Sequence, residues 1–148
     1  NMTKIVIAFY TAVILVSCTG KTGESSVSAS EQVKLEQYLV EGRTLYLQHC
    51  SACHQADGKG LARLYPPLSQ SDYLEGNVEK VVCNFRNGLN GPITVNGIEY
   101  NQAMPANYNL TPLEIAEITT YVYNSWGRSD GLISVLEVEK YLKNCSKD

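Results

Sequence analysis

Three features of the sequence predict an all-α fold of about four to five short helices with little or no strand. Apolar residues recur at spacings of three and four in several segments, as a helix with one buried face requires. Two Ser/Thr-x-x-Glu boxes, Thr111 with Glu114 and Ser134 with Glu137, stand before such segments, and reciprocal hydrogen bonding in that pattern marks a helix start. The run Cys50-Ser51-Ala52-Cys53-His54 places two thiols and an imidazole at positions i, i+3 and i+4, which is one face of a helical turn. With 148 residues and a formal net charge of −3, the chain suits one modest core. Its charge has the wrong sign for affinity gained by neutralising phosphates, which argues against a nucleic-acid partner.

The amino-terminal segment carries an address. Lys4 precedes the apolar run 5–16, which suits the core of a signal peptide and falls short of the roughly 20 residues that cross a bilayer. It ends in Leu15-Val16-Ser17-Cys18, which resembles the lipobox of bacterial lipoproteins, where cleavage before the cysteine leaves a lipidated amino terminus. The expectation is a signal peptide over 1–17, a lipid anchor on Cys18, a Ser/Thr/Gly-rich flexible tether over 18–30 and one folded domain over 31–148. Such a chain is anchored to the inner or outer membrane on the periplasmic side of a bacterial envelope.

The first helix of the domain is predicted over 31–49, where Val33, Leu35, Tyr38, Leu39, Leu45 and Tyr46 alternate with charges and lead into Cys50. A second is predicted over 77–88, with Val78, Val81, Val82 and Phe85 forming a stripe that continues to Leu89. Asn96-Gly97 suggests a small hairpin over 93–100. Thr111 opens a helix with Pro112 at its first position, carrying Ile115, Ile118, Val122 and Trp126 on one side and stopping before Gly127. Ser134 opens the last helix, which runs past Tyr141 and Leu142 to Cys145.

A porphyrin satisfies all three side chains of the Cys50–His54 motif. Two thiols add to its vinyl groups while the imidazole ligates iron from the same side, so C-x-x-C-H is the signature of covalent haem c attachment. One haem is expected, held by Cys50 and Cys53, with His54 on the iron. A thioredoxin-like dithiol needs no histidine and follows a strand, and a zinc site wants four ligands that the scattered remaining cysteines do not supply. His49 adjoins Cys50 and is tied to the His54 side. Met104 is the methionine that remains once Met2 is cleaved away. It lies in Gln102-Ala103-Met104-Pro105-Ala106, where Pro105 denies a helix and favours an extended loop across the other haem face. A thioether also fills gaps, so Met104 as mere packing on the pocket is the alternative.

From about residue 31 onward the chain resembles the class I monohaem cytochromes c of bacteria, with C-x-x-C-H near the start and a Met-Pro loop before a terminal helix. The resemblance implies a cytochrome c fold around one haem with His54 and Met104 as axial ligands. It further implies that the Pro66 carbonyl orients the His54 ring, that Leu68 packs on the porphyrin, and that Gly42 and Tyr46 cross Tyr121. The stretches 66–74 and 91–106 resemble cytochrome domains that serve copper nitrite reductases, quinoprotein or membrane alcohol dehydrogenases, and terminal oxidases. The implied function is a non-enzymatic one-electron carrier between respiratory partners outside the cytoplasm. Its alternatives are a haem subunit fixed in a larger oxidoreductase, and a gas sensor or peroxidase-like protein with a labile sixth ligand; no distal histidine and arginine pair supports the last.

Cys83 departs from the aliphatic residue that the family pattern leads one to expect in the central helix. With Cys18 lipidated and Cys50 and Cys53 on haem, Cys83 and Cys145 remain to pair. Cys83 lies off the apolar stripe, where a carboxyl-terminal extension can cover it, and closing a loop of about 63 residues constrains the unfolded chain by up to roughly 4 kcal/mol. Lys59, Arg63 and Arg86 are the positive residues near the site, candidates for steering a partner.

Overall fold

The computed structural model describes residues 28–145. The expected signal peptide, the expected anchor Cys18 and residues 18–27 of the expected tether lie outside the described residues. Among the described residues five helices and one hairpin run in the order α1 (Ala29–His49), α2 (Ser51–His54), α3 (Val78–Asn87), β1 (Ile93–Val95), β2 (Ile98–Tyr100), α4 (Pro112–Tyr123) and α5 (Val135–Asn144), with a 3-10 turn at Asp72–Leu74. The mostly helical architecture agrees with the class expected from the sequence. The β1–β2 sheet is the expected hairpin, antiparallel with Ile93 opposite Tyr100 and Val95 opposite Ile98. None of the described helices is long and apolar enough to cross a membrane.

Helix α1 begins two residues before the expected start because Ser28 caps it, its hydroxyl accepting from the Glu31 N–H. Most of its surface is exposed, and Tyr38, Gly42 and Tyr46 form the narrow buried seam. That seam lies on α4, the central helix, which is buried nearly all round through Ile115, Ala116, Ile118, Thr119, Thr120, Val122 and Tyr123. A β-carbon on Gly42 would collide with the Glu117 carbonyl oxygen and come within 2.9 Å of the Tyr121 β-carbon. The absence of a side chain therefore sets how closely the two helices approach. Tyr46 is fully buried beside Tyr121 and Trp126, with ring centroids 5.4 and 5.5 Å away, separations typical of favourable aromatic pairs.

Trp126 is not on α4. The helix stops at Tyr123, short of the Trp126 that the apolar spacing assigned to it, because Asn124 turns the chain. Its side-chain amide donates to the carbonyls of Thr120 and Gly131 and accepts from the Gly131 N–H. Trp126 then adopts a left-handed φ of 54° and folds back against Tyr46 and Tyr121. The buried polar groups of α4 are bonded as burial demands. Thr120 exchanges hydrogen bonds with Ile133, and the Tyr123 hydroxyl donates to the Leu74 carbonyl at 2.9 Å.

Both capping boxes form, Thr111 with Glu114 at α4 and Ser134 with Glu137 at α5. Helix α5 rests on α4 and α3, and the disulfide Cys83–Cys145 joins its end to α3 across a sequence separation of 62. Asn144 adds a hydrogen bond to Glu79. On α3, Val82 and Phe85 turn inward while Cys83 points to α5, as the stripe in the sequence required.

Two outcomes test the crossing. Gly42→Ala, which in an ordinary helix gains up to about 1 kcal/mol, will here destabilise the protein by about 2 kcal/mol, since the obstructing group is backbone; a denaturant midpoint at or above the wild-type value refutes it. Glu117 sits on the same face, its carboxyl pushed above the ordinary value of 4.5 by burial and by Glu41 and Glu114. A raised folded-state pKa means that its contribution is present below the unfolded value and is lost as pH rises. Glu117→Gln will thus raise Tm at pH 7, with the gain shrinking to nothing below pH 4.5; an equal gain at both pH values contradicts this.

Candidate functional site

Helix α1 delivers the Cys50–His54 motif by ending against it. The Cys50 N–H still donates to the Tyr46 carbonyl at 2.9 Å, and its own carbonyl accepts from Cys53 and His54, so α2 begins after a single-residue break. Cys50, Cys53 and His54 thereby line the same cleft. Its walls are largely apolar, with Leu68, Val81, Phe85, Ile118 and Val122 among them.

After His54 the chain must turn back to bring Pro66 over the imidazole. Gln55 takes a left-handed φ of 63°, and its carbonyl accepts from the buried Tyr46 hydroxyl at 2.6 Å. Gly58 passes under the Trp126 indole, 2.7 Å from where a β-carbon would stand, and its carbonyl accepts from the Leu68 and Ser69 N–H groups. The Gly60 N–H donates to the His54 carbonyl at 3.0 Å. A β-carbon there would strike the Tyr65 carbonyl oxygen and lie 2.6 Å from that of Pro66. The result is a hydrogen bond of 3.0 Å from His54 Nδ1 to the Pro66 carbonyl. A carbonyl only accepts, so Nδ1 carries the proton and Nε2 keeps its lone pair.

Electrostatics agree with that tautomer. Burial pushes the His54 pKa below its ordinary value, opposed by the Pro66 hydrogen bond, so the imidazole is neutral at neutral pH. Burial, with Cys53 adding to it, pushes the Cys50 thiol up to about 12. A reactive dithiol needs a depressed pKa, and the Cys50 thiol moves the opposite way.

Met104 lines the cleft too. Its backbone is fastened to the end of α3 by a pair of hydrogen bonds with Leu89, each 2.9 Å. Gly88 caps α3 at φ 74°, where a β-carbon would sit 2.6 Å from the Met104 carbonyl oxygen. Further along, the Asn107 N–H donates to the Phe85 carbonyl. Arg86, expected among the steering charges, is half-buried and directs its guanidinium to the carbonyls of Tyr108 and Leu110. It holds the loop rather than facing a partner. Lys59 pairs with Asp57 in the open, where such pairs are worth little, and His49 is exposed at the last residue of α1.

A haem fits these donors. A neutral imidazole nitrogen, two thiols on one turn and a thioether line one apolar cleft, and no other ligand set competes among the described residues.

Residues 39–126 match the family model for cytochrome c. The chain belongs to the cytochrome c family. Covalently bound haem c and haem-based electron transfer come with that membership. Cytochrome c-552 of Thermus thermophilus is 34% identical over 92 residues, covering 60% of this chain and 70% of that protein. The cytochrome c subunit of the quinone alcohol dehydrogenase of Gluconacetobacter polyoxogenes is 30% identical over 105 residues, 68% of this chain. The corresponding subunit of Gluconobacter oxydans is 28% identical over 103 residues. This cytochrome c chain spans only 22% and 21% of those two subunits.

The structure brings together every cleft residue named from the sequence: Cys50, Cys53, His54, Pro66, Leu68 and Met104. Gly58 and Gly60 were missed, although two glycines flanking Lys59 ahead of Pro66-Pro67 are the available signal for a tight reversal. Their roles differ from that of a glycine in a free turn. Gly60→Ala will destabilise the domain by several kcal/mol, because backbone strain of about 1–2 kcal/mol is joined by collision with two carbonyls. Gly97→Ala, at a similar φ of 74° with open space around it, will cost the strain alone. Equal losses in chemical denaturation refute the distinction.

Proposed function

We propose that this domain is a one-electron carrier in which Cys50 and Cys53 would hold one haem c covalently and His54 Nε2 and Met104 would ligate its iron. The observation that carries the reading is the single apolar cleft lined by all four side chains, with the His54–Pro66 hydrogen bond presenting Nε2 as a lone pair. The bound haem supplies reversible uptake and release of one electron. The chain supplies the rest. The Pro66 carbonyl fixes the His54 tautomer and makes the imidazole a stronger donor. Leu68, Phe85, Ile118 and Val122 exclude water. Met104 offers a soft thioether, which favours a higher potential than a second imidazole.

The carrier works outside the cytoplasm, exported by residues 1–17 and held to the envelope through lipidated Cys18 and its tether. That part rests on the sequence pattern alone. Among partners, a dehydrogenase donor is favoured over a nitrite reductase or terminal oxidase acceptor, because relatives named as quinone alcohol dehydrogenase subunits share this domain. The domain itself is an electron-transfer module with no substrate chemistry of its own.

The optical spectrum of the dithionite-reduced holoprotein will not change when carbon monoxide is added. Met104→Ala will bind carbon monoxide at once and show a lower reduction potential. Prompt binding by the wild type, or unchanged values in the variant, removes Met104 from the iron.

A further inference from the structure

The two sides of the cleft come from different stretches of chain. Residues 50–74 bring Cys50, Cys53, His54, Pro66 and Leu68, while residues 89–104 bring Met104 and the hairpin wall. The second stretch is fastened at its base, where Leu89 pairs with Met104. Its tip is fastened to the first stretch. The Asp72 N–H donates to Asn96 Oδ1 at 3.0 Å, the Asn96 N–H donates to Asp72 Oδ1 at 2.7 Å, and the Asn96 amide donates to the Gln70 carbonyl at 3.1 Å. Between base and tip, Ile93, Val95 and Tyr100 line the cleft, with Val95 only 1% and Tyr100 only 5% exposed.

Two strands of three residues each do not hold a hairpin in place unaided. Asn96 also occupies φ 51°, a conformation that asparagine tolerates better than most residues. The turn therefore suits an anchor as well as a reversal. Asp72 and Asn96 are exposed, so they act at the rim and touch neither core nor ligands.

We propose that Asp72 and Asn96 are positioning residues, a clasp across the haem cleft that keeps the hairpin as its wall, limits water at the haem and holds Met104 in place. The inference rests on the His54 and Met104 haem reading. Solvent admitted to a haem pocket favours the more highly charged oxidised iron and so lowers the potential. A wall that gives way also lets a small ligand compete with the thioether.

The test compares wild type, Asn96→Gly, Asp72→Ala and Asp72→Asn as haem-loaded proteins. Glycine keeps the left-handed turn and removes the side-chain bonds, whereas asparagine at 72 retains an oxygen to accept from the Asn96 N–H. Reduction potential by optical redox titration and the rate of carbon monoxide binding to reduced protein are the readouts. Asn96→Gly and Asp72→Ala will shift the one-electron equilibrium threefold to tenfold, about 28–59 mV downward, and bind carbon monoxide at least threefold faster, with Asp72→Asn near wild type. A lowered Tm with unchanged potential and carbon monoxide rate overturns the clasp, as do wild-type values throughout. Prompt carbon monoxide binding by the wild type instead overturns the Met104 ligation beneath it.

Discussion

At Gly42 the backbones of α1 and α4 approach so closely that one methyl group would strike the Glu117 carbonyl, and the attachment turn beyond α1 takes its position from that crossing. Tyr46 lies one turn on, buried against Tyr121 and Trp126. Its hydroxyl reaches the Gln55 carbonyl immediately after the Cys50–His54 turn. That turn is therefore held from below by a side chain that depends on helix approach.

The imidazole and thioether sides of the cleft are positioned by different means. The imidazole side is held by backbone folded on itself, through Gly58, Gly60 and the Pro66 carbonyl. On the thioether side a short ladder with Leu89, the Gly88 cap and the Arg86 guanidinium fasten the loop to α3. The Pro66 carbonyl holds the His54 ring itself, whereas the Leu89 ladder, the Gly88 cap and Arg86 act on the backbone around Met104. Fixing the backbone leaves the ligand few rotamers while leaving its donor atom uncommitted.

Much of this could be read from residues in order. Helical period, two capping boxes and the cysteine–histidine spacing are local signals, and they located α1, α3, α4, α5 and the attachment turn. Cys83 off the apolar stripe of α3 pointed to the partner it has, Cys145. The features that escaped were long-range or conformational. Trp126 continues the apolar spacing of α4, yet Asn124 satisfies carbonyls that helix continuation would otherwise need, and the ring arrives at Tyr46 by a left-handed turn. Arg86 looked like surface charge because nothing in its neighbourhood announces carbonyls 22 and 24 residues away. The Asp72–Asn96 pairing likewise spans 24 residues.

The bond between Cys83 and Cys145 makes a closed covalent ring of the chain that contains Met104, whereas Cys50, Cys53 and His54 lie on the open segment before it. A single peptide cleavage anywhere from 84 to 144 would alter the order of connection without releasing a fragment. The piece bearing the thioether would stay joined to the piece bearing the attachment turn, at an effective concentration set by the fold and not by dilution. For a haem site whose two sides come from separate stretches of chain, the disulfide thus converts what would be dissociation into a repairable opening.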